Sequence, residues 1–472
     1  MLRVVKQFRS LFIVSSCLLT LVFLFNIFGV QSQGWFNNFQ KDSGALVVHK
    51  LACHEELGSD KFGGMLVKGK DSQAVYSPDD RDPVCQKEVS KEYVSQYGLQ
   101  GKVSEVGYRL LNGIPGVGLG NYIILLHILW AALTAAVLSL FVVWVARTYG
   151  RFVAVSVLLF LCLSVWIIGF ARNLYWATPL LFLPFIFTLY YYAEPGKTRR
   201  YGIFLGGLLA LFFIRFLNGF EYVPTIILSV VAVAGLVSYE RSASLKQFVR
   251  EAALIGVVGA VAFAGAVGLT FYQVYRYVGD MHKARNLIVE RALVRTTEGG
   301  DDKQFVYSGL FVTSPTVYES VSNYVDLGKA EKQKPPVLTA VLWLLSYTML
   351  PVVNVPLAIK EPVYTIVSSF GFFVVVTWLA MRNLLRTASR ATLSKLKGLQ
   401  RGLWMGLVAS LSWLVFGYSH TLVHAHLNGI MYYLPFMLFA YIALGLWIEQ
   451  FVKKYQGVFD TSRLPKKRSA RS

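Results

Sequence analysis

The residues best suited to chemistry in this 472-residue chain sit at the edges of its apolar runs. Asp42 follows the first run, within Trp35-Phe36-Asn37-Asn38-Phe39-Gln40-Lys41-Asp42-Ser43, and opens an amphipathic stretch from Ala45 to Ala52. A carboxylate there has two readings. It caps a helix, whose dipole favours negative charge at its start, or it is a general base that takes the proton of an acceptor hydroxyl. The stretch after it is expected to lie on the membrane surface. Arg172 and Asn173, then Arg215, Asn218 and Glu221, fall at the ends of two later runs. Ionisable groups at such places either snorkel to the interface or line a cavity in the bundle. For Arg172 and Glu221 the cavity reading is preferred, and a guanidinium there forks onto phosphate oxygens. Arg215, a turn further in, is open to either reading.

Other candidates come late in the chain. His282, Lys283, Arg285, Arg291 and Arg295 form a basic, helix-like stretch with Ile288 and Ala292 on another face. Such a helix lies on anionic lipid or clamps a phosphate. Glu298, Asp301 and Asp302 read as a solvated turn, with a metal site as the alternative. His420, His424 and His426 share one late loop, as hydrogen-bond donors to sugar or phosphate or as interfacial residues. No carboxylate or cysteine stands beside them, so zinc is not expected. No metal and no cofactor is assigned to any of these groups. Walker, Rossmann, CxxC and HExxH patterns are absent from the sequence, which argues against an ATP-driven transporter and places any chemistry at the outer face, on a lipid-borne donor.

The elements that position these residues are membrane spans. Only 15% of the chain is charged and 55% is hydrophobic, against about 25% charged in soluble chains. Apolar runs of spanning length occupy Leu11 to Val30 and then 120–145, 151–170, 174–193, 202–219, 222–239, 252–275, 362–381, 402–419 and 430–448. The first is read as a retained helix, because no small-x-small cleavage site follows it. The formal charge of +20 resides in short segments between runs and in the tail from Lys453 to Arg471. That is the positive-inside pattern rather than a nucleic-acid footprint. Val337 to Pro356 is also apolar, but counting it as a crossing would put the six Lys and Arg residues of 382–401 outside. It is therefore expected to be a re-entrant or interfacial helix, interrupted by Pro351 and Pro356.

The expected fold is an all-α integral membrane protein of about ten transmembrane helices with two large extracytoplasmic loops, 31–119 and 276–361. The parts are a seven-helix module (1–275), the second outer loop (276–361), a three-helix module (362–448) and a basic cytoplasmic tail (449–472). The N-terminus is cytoplasmic too. Cys53 and Cys85 share the first outer loop, where an oxidising compartment favours a disulfide over two free thiols. The bridge would stabilise the loop by about 3–4 kcal/mol.

This layout resembles the GT-C class of glycosyltransferases: a carboxylate after the first span, a juxtamembrane helix, a large outer loop, six further spans and a second outer loop. The resemblance covers residues 1 to about 361, and departs from the class where Ser43 follows Asp42 in place of a second acid. It implies a polyprenyl-linked sugar or oligosaccharide as donor, a glycan as acceptor, Asp42 as the catalytic base and no nucleic-acid partner. A second likeness runs through most of the chain. Tyr93-Val94-Ser95-Gln96-Tyr97-Gly98-Leu99-Gln100-Gly101, Ala171 to Trp176, Phe220-Glu221-Tyr222, His420 to His426 and Tyr433-Leu434-Pro435 resemble stretches of bacterial membrane proteins that accompany surface-polysaccharide synthesis. It implies the bacterial cytoplasmic (inner) membrane. Taken with the readings of the residues above, the substrate-binding candidates are Gln96, Gln100, Arg172, Asn173, Glu221, Arg285, Arg291, His420, His424 and His426. The competing functions are a polysaccharide polymerase or ligase, a lipid-linked glycan transporter or flippase, and a structural or assembly protein.

Overall fold

The computed structural model describes residues 7–53, 63–68, 85, 90–193, 201–240, 243–296, 305–306, 325–326, 347–348, 350–356, 365–417, 421 and 425–460. Helix α1 (Arg9–Phe25) leads through α2 (Gln33–Asn38) into α3 (Lys41–Ala52). A two-stranded antiparallel piece, β1 (Leu66–Lys68) with β2 (Ser90–Glu92), precedes α4 (Leu99–Leu111). The bundle continues as α5 (Leu119–Tyr149), α6 (Arg151–Cys162), α7 (Val165–Ala171), α8 (Pro179–Tyr192), α9 (Tyr201–Leu217), α10 (Val223–Glu240) and α11 (Leu245–Val278). Then come α12 (Met281–Thr296), the short pair β3 (Phe305–Val306) and β4 (Val325–Asp326), and the pair β5 (Pro351–Pro356) and β6 (Thr365–Ser369). The chain closes with α13 (Phe370–Thr387), α14 (Arg390–Phe416), a 3-10 segment (Ala425–Tyr433) and α15 (Phe436–Asp460).

Helices α5, α10, α11, α14 and α15 are long and apolar enough to cross a membrane, while α1, α6, α8 and α9 are apolar but shorter. The protein is thus a helical integral membrane protein. Helix α1 lies along α5, α9 along α11, and α6 along α15. The closest pairing is α10 with α14, where Gly398 and Gly402 bring α14 against Leu236, while Gly406 brings it against Phe436 of α15. The late helices therefore pack into the early ones. Helix α11, with 34 residues, is about 50 Å long. That exceeds the roughly 30 Å of hydrocarbon, so the helix projects from the membrane.

Two expectations need correction. The segment 351–356 is a strand, not part of an interfacial helix. Val352, Val353 and Val355 are β-branched and bracketed by prolines, which favours strand and removes helix donors. Residues 337–346 lie outside the described residues. The expected run 151–170 is broken at Leu163 and Ser164 between α6 and α7. The freed Leu163 carbonyl accepts from the Asn354 backbone N–H (3.1 Å), and Trp166 Nε1 donates to the Pro351 carbonyl (2.6 Å). Strand β5 thus satisfies a helix break that lipid could not. Most of the basic segment 382–401 is helical, ending α13 and starting α14. Long basic side chains let helices run past the hydrocarbon.

Candidate functional site

The amphipathic stretch after Asp42 does not lie open on a surface. Val47, Val48 and Leu51 of α3 are buried, and α3 packs on α4 and β1. On its inner face Lys50, 1% exposed, sits 3.4 Å from the Glu105 carboxylate of α4, which also pairs with Arg109 at 2.6 Å. Burial pushes the Lys50 ammonium down from its ordinary range, and Glu105 opposes that shift. The Cys53–Cys85 disulfide is present and pins the end of α3. Close backbone approach fixes the same region: a Cβ on Gly64 would stand 1.6 Å from the Gly98 carbonyl, and one on Gly101 1.6 Å from the Gly64 carbonyl. Only glycine fits there.

A cavity of about 210 Å³ opens between the α2–α3 junction, the start of α5 and the end of α7. Its polar lining comes from Asn37, Gln40, Lys41, His127, Arg172 and Asn173, and among the described residues no Asp or Glu lines it. Arg172 caps α7 and lays its guanidinium 3.9 Å over the Phe36 ring, while Nη2 donates to the Phe36 carbonyl at 2.7 Å. The Arg172 carbonyl is 2.8 Å from His127 Nδ1. Desolvation pushes Arg172 down to about 10, so it stays charged at neutral pH. Asn173 Nδ2 donates to the Gln40 carbonyl (3.1 Å) and its Oδ1 accepts from the Tyr175 N–H (2.9 Å). The wall formed by 169–174 is therefore held from both sides.

Asp42 is exposed in the first turn of α3, flanked in sequence by the lining residues Lys41 and Gly44. Gln96, Gln100 and Glu221 do not line this cavity but meet in a buried network behind it. The Tyr175 hydroxyl lies 3.2 Å from both Gln96 Oε1 and Glu221 Oε1, and 3.3 Å from the Tyr93 hydroxyl. Gln100 Nε2 donates to the carbonyls of Tyr175 (2.8 Å) and Asn218 (3.1 Å). Arg215 is 1% exposed, so it does not snorkel. It donates to the carbonyls of Gly219 and Glu221, each at 3.3 Å. Gly219, at φ +146°, is required because a Cβ would stand 2.4 Å from the Glu221 carboxylate. With Arg215, Glu221 and Tyr175 turned to one another, this network sets the loop on which the cavity wall rests.

Arg285 and Arg291 stand exposed on α12 and are not among the cavity's lining residues. His420 and His424, the side chains of His426 and Arg295, and residues 298, 301 and 302 lie outside the described residues. Among the described residues, no group of three or more His, Cys, Asp or Glu converges to hold a metal ion. Sequence reasoning missed Lys41, His127, Tyr93 and Tyr175. His127 carried a signal, a polar residue inside the apolar window Ile123 to Leu129.

What the arrangement can do is hold an anion: among the described residues, cationic and amide groups line one cavity that no carboxylate lines, with Asp42 next to it in the chain. The class defined by fold and site is a helical membrane protein with a cationic boundary cavity. No family model, characterised protein or solved structure matches the chain, so the site rests on its geometry alone.

Proposed function

We propose that this chain is a membrane glycosyltransferase that takes a polyprenyl-phosphate-linked sugar at the outer face of the bacterial cytoplasmic (inner) membrane. It transfers the sugar to a glycan acceptor in cell-surface polysaccharide or glycoconjugate synthesis. The observation that carries this reading is the acid-free cavity lined by Lys41, His127 and Arg172, with the exposed Asp42 carboxylate beside it. Its size, about 210 Å³, lies below the roughly 300–1,000 Å³ of whole-ligand pockets. A single phosphorylated sugar head suits it better than an oligosaccharide.

In this reading Asp42 takes the proton of the acceptor hydroxyl. The acceptor oxygen bonds to the anomeric carbon as the bond from that carbon to phosphate oxygen breaks. Arg172 and Lys41 stabilise the negative charge left on the polyprenyl phosphate. The topology that goes with it has ten crossings, with both termini in the cytoplasm. Asp42→Asn tests it, because Asn caps a helix about as well as Asp and only the base is lost. A folded variant is expected to lose on the order of 10²–10⁴ in turnover. Wild-type glycan from a well-expressed Asp42→Asn protein would end the case for Asp42 and move weight to a polymerase or ligase acting through the His420–His426 loop.

A further inference from the structure

Helix α4 presents two unlike faces. Inward, Gln100, Gly101, Ser104 and Glu105 are buried. Outward, Val103, Val106 and Leu110 are 60%, 57% and 76% exposed. Their spacing places them in one stripe along the helix. The inner face cannot turn to cover that stripe. Gln100 is tied to the Tyr175 and Asn218 carbonyls, and the Ser104 carbonyl accepts from the Tyr122 hydroxyl of α5 at 2.8 Å. The stripe is therefore held outward by the fold.

We propose that this stripe is immersed in the lipid leaflet at this end of the bundle, making α4 an in-plane membrane helix that carries Gln100 and Glu105 on its protein side. Two observations identify lipid as the occupant. The first is continuity. From α4 the chain passes through Ile114, 50% exposed, into α5, whose Ile124, Leu125, Ile128 and Leu129 are exposed on a helix of spanning length and composition. The second is charge. Half-buried Lys102 and exposed Arg109 flank Val106 on the same edge of the stripe, while Glu105 is buried on the inner face with Lys50. An apolar stripe with a basic margin is the pattern of a helix lying between acyl chains and phosphate headgroups. On this proposal the surface helix of this segment is α4, not the stretch from Ala45 to Ala52 in which the sequence led us to expect it.

The test uses the full chain in nanodiscs of phosphatidylcholine and phosphatidylglycerol, with Cys17→Ser and Cys162→Ser and the Cys53–Cys85 bridge intact. Spin labels are placed singly through Val103→Cys, Val106→Cys and Leu110→Cys. Ile128→Cys on α5 is the lipid control and Lys91→Cys on β2 the water control. The ratio of accessibility to oxygen over a water-soluble nickel chelate is expected to be several-fold higher at the three stripe positions than at Lys91→Cys, approaching Ile128→Cys. A ratio at the level of Lys91→Cys would overturn the proposal. So would low accessibility to both reagents with dipolar broadening between copies, which would mark a second copy of the chain as the cover. Because three positions are read independently, one variant that fails to fold leaves the outcome decided by the others.

Discussion

Glu92 offers a sharp physical test of how the β1–β2 segment is joined to the bundle. Its carboxylate, 4% exposed at the end of β2, accepts from Gln273 Nε2 of α11 at 2.8 Å and is bonded by the Gly63 backbone. Its Oε2 is buried without a partner among the described residues. Desolvation pushes Glu92 from 4.5 up to about 7, against smaller opposing effects from those two hydrogen bonds and from Lys102 and Lys50. The shift corresponds to roughly 3 kcal/mol. The folded segment holds the proton where the opened one has lost it. Stability is thus greatest at low pH, falls as pH rises from about 4.5 to about 7, and levels off above that. Hydrogen exchange of peptides over 63–66 and 90–92, corrected for intrinsic rate, reads the opening directly. Between pH 5 and 8 the opening constant should rise by up to roughly two orders of magnitude. Glu92→Gln can still accept from Gln273 but does not titrate, so its opening should be independent of pH. An equal pH slope in Glu92→Gln, or none in the wild type, would refute the reasoning.

Two further predictions address topology and the disulfide-bonded segment. Ser394 is exposed near the start of α14, so a cysteine placed there should resist impermeant reagents applied outside and label only after permeabilisation; free outside access would defeat the ten-crossing reading. Replacing Cys53 and Cys85 together by Ser should cost the bridged segment about 3–4 kcal/mol, seen as faster exchange in α3 and α4, and unchanged exchange would show that the bridge adds nothing there.

The membrane class was legible because hydrophobicity and charge are summed over whole segments. Each apolar run expected to span is helical over most of its length, although 151–170 is divided between α6 and α7 and α13 is displaced towards the C-terminus by β6. The disulfide was legible for a different reason: only two cysteines lie outside the apolar runs. What was not legible depends on contacts distant in sequence. The break at Ser164 is stabilised by a strand whose Val353 bridges to it, and no local pattern around 164 announces that partner. The burial of α3 was hidden likewise, since its amphipathic face fits protein as well as lipid, and the choice is made by β1 and α4. At the site, Arg172 and Glu221 stood out as ionisable residues near apolar runs, yet the structure assigns them to different environments. Arg172 lines the cavity and Glu221 lies in the network behind it. Tyr175 joins that network through its hydroxyl, and a tyrosine among aromatics carries no sign of that role in the sequence.

The central claim is that the cavity beside Arg172 receives a lipid phosphate. The most direct measurement is binding of a polyprenyl phosphate to the purified chain in nanodiscs, compared with Arg172→Lys, which keeps the charge but loses the planar fork. The account predicts saturable binding by the wild type and a loss of roughly 10-fold or more in the folded variant, the scale of one charged hydrogen bond. Absence of saturable binding, or an unchanged affinity in Arg172→Lys, would contradict it.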